Sequence, residues 1–113
     1  MPRYVQIAVA LAAAIAMAVA IAIAPVWAGD LSDADVLALS QRHCVPCHAR
    51  NPTHPAFDKP PRDLVLETIA QIMRNAARIN EQVVEDRSMP LGNQNEMTEE
   101  EREALGRWIA GLK

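Results

Sequence analysis

After residue 28 the chain has no alternating run of β-branched residues, and nowhere does it have an internal repeat. The first absence leaves no candidate strand, and the second leaves no basis for a repeat array. Cysteine is scarce, with Cys44 and Cys47 the only two. A structural zinc site would need two more ligands at short spacing, and only His54 is near. A thioredoxin-like pair wants a βαβ context, which the missing strands deny, while a single disulfide stays open. Positive charge is also short. Eleven basic residues stand against fourteen acidic ones, and setting aside Arg3 leaves ten against fourteen, a net −4 for residues 29–113. That balance argues against a nucleic-acid partner and against a strongly basic docking face.

The chain does have one long apolar run. Ile7 to Ala24 are all apolar, Arg3 precedes them, Pro25 ends the run, and Val26-Trp27-Ala28 offers small residues at −3 and −1 before Gly29. This is the pattern of an export signal cleaved after Ala28. The run is also close to the length of a membrane span, so an uncleaved anchor is the alternative. Residues 1–28 are thus expected to be a signal peptide, and residues 29–113 a single exported, periplasmic domain, which the anchor alternative would hold at the membrane. A domain that small buries little surface and gains from an added apolar centre.

Helical patterns fill the remainder. Ser32 is a candidate N-cap with Asp33 and Asp35 in the first turn, opening a helix that runs into Cys44. Pro52, Pro55, Pro60 and Pro61 exclude a regular element over residues 49–63. A loop of this length suits a segment that wraps something. Val65, Ile69, Ile72, Met73, Ala76, Ile79 and Val83 recur at helical spacing, with a break expected near Asn80. Ser88 to Asn93 read as a turn. Thr98 and Glu101 form a capping box ahead of a last helix bearing Leu105, Trp108, Ile109 and Leu112. The expected fold class is all-α.

Between the first helix and the proline loop lies Cys44-Val45-Pro46-Cys47-His48. In a C-x-x-C-H pentad both thiols can form thioether bonds to one haem, and the following histidine becomes the proximal ligand of its iron. Pro60 or Pro61 is expected either to set the loop carbonyl that accepts the N–H of that histidine or only to stiffen the loop. Candidates for the opposite face of the iron are Met73, Met89, Met97, His43 and His54. Met73 lies on an apolar stripe where methionine packs, and Met97 abuts the capping box, where a staple contact is its ordinary role. His43 is awkwardly close to the tether, and His54 sits only six residues past His48. Met89, in a loop and followed by Pro90, is favoured. Met97 and an open or histidine-ligated iron are the alternatives. A thioether is a soft ligand that raises the potential, and filling both axial positions leaves no vacancy for substrate, which favours electron transfer over catalysis.

These residues resemble small class I cytochromes c: the pentad, a helix, a methionine loop, then a C-terminal helix with Trp108. A closer likeness involves Cys47 to Thr53, Pro60-Pro61, Met89 to Asn93, Met97 to Arg102 and Leu105 to Ile109. These stretches look like the cytochrome c domain at the C-terminus of membrane-bound urate hydroxylases (urate oxidases). The resemblance implies a class I cytochrome c-like fold of three to five helices around one haem c held by Cys44 and Cys47. It implies His48 and Met89 as iron ligands, and redox proteins as partners. The chain departs from those hydroxylases in having one hydrophobic segment and no multi-helix membrane portion, so any link to purine oxidation would need a separate partner. Its first helix also lacks the glycine that such folds often pack against an aromatic of the last.

Three functions compete. One is a monomeric periplasmic carrier of single electrons, not an enzyme. Another is an open-site haem sensor or enzyme. The third is an electron-transfer subunit of a membrane oxidoreductase. The sixth ligand separates the first two, and stable co-purification separates the first from the third.

Overall fold

A computed structural model describes residues 29–113; the reading of residues 1–28 as an export signal falls outside them. Among the described residues every regular element is helical and no strand occurs. Helix α1 spans Asp33–His43, α2 Ile69–Arg74, α3 Ala76–Ile79 and α4 Glu99–Ala110. A π-helical segment, Asn80–Glu85, continues α3, and short 3-10 turns lie at Pro61–Asp63 and Leu91–Asn93. No helix among these residues is long and apolar enough to cross a membrane.

The helix starts follow from local chemistry. Ser32 caps α1, its hydroxyl accepting from the Asp35 N–H while the Asp35 carboxylate accepts from the Ser32 N–H. Thr98 and Glu101 form the expected box at α4. A third box, Thr68 with Gln71, starts α2 and had not been anticipated, because the stripe beginning at Val65 suggested an earlier start. Each box satisfies two otherwise unpaired backbone donors. The boxes at α1 and α4 also place acidic side chains at the positive end of the helix dipole.

The stripe over residues 65–83 is corrected in detail. Val65 lies ahead of the helix and Leu66 takes the buried place. The first break comes at Asn75, whose side-chain amide donates to the Gln71 carbonyl and so competes with the continuing ladder. Met73, on the same short helix as the buried Ile72, is 39 % exposed, so it is not the packing residue its spacing suggested.

Val36, Leu66, Ile72, Ile79, Val83, Met97 and Leu105 form the core. Helix α4 lies against the π-helical segment. A Cβ on Gly106 would sit 3.1 Å from Val84 Cγ1, so glycine is what permits that approach. The close-packed glycine therefore lies on the last helix. Two side-chain hydrogen bonds tie α1 to α4, Trp108 Nε1 donating to Asp33 Oδ1 at 3.0 Å and Arg42 Nη1 donating to Glu101 Oε1 at 3.2 Å, and His43 Nε2 lies 3.3 Å from Glu101 Oε2.

Candidate functional site: a cavity with two thiols, a histidine and a methionine in its wall

The core is not packed solid. Val36, Leu66, Ile72, Ile79, Val83, Met97 and Leu105 all face a single cavity of about 480 Å³, within the range of small-molecule and cofactor sites. Cys44, Cys47, His48 and Met89 line the same cavity, as do His43, Arg62 and Arg78.

The pentad is one tight turn. The Cys47 and His48 N–H groups both donate to the Cys44 carbonyl, at 3.1 and 2.8 Å. Residues three and four apart in such a turn share a face, so the two thiols and the imidazole are presented together. Helix α1 ends in that turn because Cys44 is its C-cap, with its N–H still donating to the Ser40 carbonyl.

A three-residue extended segment clamps His48. Its Nδ1 lies 3.1 Å from the Leu64 carbonyl, and its own carbonyl accepts from the Leu66 N–H at 2.9 Å. The Leu66 carbonyl in turn accepts from the buried Ser40 hydroxyl at 2.7 Å. A carbonyl can only accept, so Nδ1 carries the proton and the lone pair resides on Nε2, the form that ligates a metal. The acceptor is thus a loop carbonyl, that of Leu64 at the end of the 3-10 turn that Pro60 and Pro61 open, and not a carbonyl of Pro60 or Pro61 themselves. Those two carbonyls are used within the 3-10 turn, accepting from the Asp63 and Leu64 N–H groups. Burial, and to a lesser extent the charge of Arg78, hold His48 below the ordinary histidine range, against the contrary pull of the Leu64 carbonyl. The ring is neutral at pH 7.

Cys44 and Cys47 are both free thiols. Burial pushes the Cys44 thiol up to about 11, although a hydrogen bond with Ser40 works the other way, and burial raises Cys47 as well. Disulfide-exchange cysteines work through a lowered pKa. This pair is shifted the opposite way, which does not suit thioredoxin-like chemistry.

Of the candidates for the opposite face, Met89, Met97 and His43 line the cavity. Met73 is turned out to solvent. His54 lies outside the cavity wall, with Nε2 3.0 Å from Gln94 Oε1 and Nδ1 accepting from the Ala56 N–H. Met97 is buried in the core, and Asn93 brackets its backbone, donating to its carbonyl and accepting from its N–H. Met89 is half-buried in the loop that carries the cis Met89–Pro90 peptide.

Sequence reasoning missed Ser40, Leu64 and the buried Arg102, and for Glu101 it read the cap but not the burial beside Arg42 and His43. Arg102 had a readable signal: it lies three residues before Leu105 and seven before Ile109, on the apolar stripe of α4. A charge on such a stripe needs buried partners. Leu64 had none, since a backbone acceptor carries no residue signature.

No protein-family model, curated protein or solved structure matches the chain.

The donor set fits a covalently attached haem. It offers two protonated thiols and a neutral imidazole with a free Nε2 on one turn, a thioether on a separate loop, and an apolar cavity that all four line.

Proposed function

We propose that residues 29–113 form a monohaem c-type cytochrome of the class I type that carries single electrons, is not an enzyme, and works outside the cytoplasm after export by residues 1–28. Cys44 and Cys47 hold one haem c through thioether bonds, and His48 and Met89 are the axial ligands of its iron. The observation that carries this reading is the meeting of the pentad and Met89 in one apolar cavity.

When bound, the haem supplies a one-electron iron couple, with a potential raised by the methionine sulfur. The chain's own residues do the remainder. The Leu64 carbonyl selects the tautomer of His48 and the Leu66 N–H holds its main chain, so the ring is kept in one orientation. Val36, Ile72, Ile79, Val83 and Leu105 give the cavity an apolar wall, and a group buried against it favours its lower-charged state. Met89 closes the sixth position, so small ligands do not compete for it. The partners are other redox proteins that meet the exposed edge of the cavity.

The test is the reduced protein under carbon monoxide. The parent chain should show a low-spin spectrum unchanged by the gas. Met89→Ala should bind it, and Met97→Ala should behave as the parent does. Carbon monoxide binding by the parent would instead favour an open-site sensor or enzyme.

A further inference from the structure

Met89 sits in a stretch whose other side chains are mostly exposed, from Glu85 to Ser88 on one side and Leu91 to Glu96 on the other. Its own backbone is held at both ends. The Met89 N–H donates to the Gln82 carbonyl of the π-helical segment at 3.0 Å, and the Met89 carbonyl accepts from Arg102 Nη1 at 2.8 Å. The same Nη1 donates to the Val83 carbonyl at 2.7 Å. Arg102 belongs to α4 and is only 7 % exposed. One guanidinium nitrogen thus bridges the last helix, the π-helical segment and the methionine loop.

Among the described residues these two carbonyls are its hydrogen-bond partners. The neighbouring Glu101 carboxylate is occupied elsewhere, accepting from Arg42 and from the Thr98 N–H and lying 3.3 Å from His43 Nε2. A buried cation that spends its hydrogen bonds on two main-chain oxygens makes charge-assisted bonds, stronger than neutral ones. It holds a backbone position whose side chain faces the cavity.

We infer that Arg102 is the positioning residue of the methionine loop, fixing residue 89 so that its thioether stays in the cavity and smaller ligands are kept out. This rests on Met89 as the sixth ligand. The loop has other anchors besides Arg102. The Met89 N–H and Ser88 Oγ both donate to the Gln82 carbonyl, Arg87 pairs with Glu99, Asn93 brackets Met97, and Asn95 donates to the Arg42 carbonyl. Without Arg102 the chain can therefore stay attached at both ends while residue 89 loses the hold on its carbonyl side and its side chain is freer to leave the cavity.

The experiment uses the full haem-loaded chain and measures the affinity of its ferric form for imidazole, a small ligand that competes with the thioether. The variants are Arg102→Leu, Arg102→Gln, Thr98→Ala and Met89→Ala. Thr98→Ala weakens the N-terminus of the same helix without touching Met89, so it reports what general loosening of α4 does. Losing a charge-assisted bond should tighten imidazole binding about tenfold to a hundredfold in Arg102→Leu. Sulfur-to-iron absorption should weaken in parallel. Arg102→Gln, which keeps a neutral donor, should show a smaller change in the same direction, and it carries the test if the leucine variant does not load haem. Thr98→Ala should stay within about twofold of the parent even as its unfolding midpoint falls. Parent-like imidazole affinity in both Arg102 variants overturns the inference, and so does an equal effect of Thr98→Ala. Failure of the ligand assignment looks different: the parent would lack the sulfur absorption and Met89→Ala would change nothing. In that event amide hydrogen exchange over residues 87–93 decides the clamp. Exchange should be faster in Arg102→Leu than in Thr98→Ala, and equal rates would overturn it.

Discussion

Removing the haem should abolish cooperative folding, because the core is built around a cavity. The perturbation is production of residues 29–113 without haem-attachment machinery, or as Cys44→Ser, Cys47→Ser, His48→Ala. Unfilled apolar volume costs about 24 cal/mol per Å³. Applied to the cavity of about 480 Å³, that coefficient gives roughly 12 kcal/mol. The cavity is open to solvent on one side, so this is an upper bound. A domain of this size has a total stability of about 4–13 kcal/mol at the usual 0.05–0.15 kcal/mol per residue. At that bound the penalty is as large as everything available to meet it. Local structure offers no rescue, since α2 has six residues and α3 four, far below the length at which isolated helices persist. The assay is thermal unfolding followed by circular dichroism. The haem-loaded chain should melt cooperatively, and the haem-free chain should show reduced helicity and a broad, non-cooperative slope. A haem-free chain with a sharp transition above ~45 °C, in the range of ordinary mesophilic domains, would refute the argument.

Other consequences follow from single contacts. Burial, opposed by the Glu101 carboxylate and reinforced by the charges of Arg42 and Arg102, holds His43 below its ordinary value of 6.5. The unfolded chain then binds the proton more readily than the folded one. The contribution of this residue is complete above that value and erodes as pH falls below it, and His43→Gln should flatten the stability profile there. Ser40→Ala removes the hydroxyl that donates to the buried Leu66 carbonyl, and urea unfolding should register a loss of about 1–3 kcal/mol. N-terminal sequencing of the exported protein should begin at Gly29, whereas an intact leader in the membrane fraction would indicate an anchored form.

Much of the frame was legible because it depends on side chains with a local job. Ser32, Thr98 and Glu101 cap helices through neighbours three residues away, and the apolar spacing after Thr98 gives α4 directly. The spacing of Cys44, Cys47 and His48 likewise needs only one turn of chain. What escaped depends on contacts distant in sequence. Leu64 meets His48 across sixteen residues and Arg102 meets Met89 across thirteen. The Asn75 break arises from a side-chain amide competing with the backbone, and apolar periodicity does not register that. His43, awkwardly close to the tether in sequence, lines the cavity with both ring nitrogens buried and neither making a hydrogen bond of good geometry. Its 3.3 Å approach to Glu101 is an electrostatic contact only.

The central claim is that Cys44 and Cys47 hold one haem covalently, and intact mass spectrometry tests it most directly. The chain should be produced with a c-type maturation system, exported, and extracted with acidified acetone, which strips haem that is not covalently bound. A single species with the mass of residues 29–113 plus one haem is the expected result, lost when either cysteine and His48 are replaced together. A mass equal to the bare chain, or two hydrogens lighter as a Cys44–Cys47 disulfide, would contradict the account.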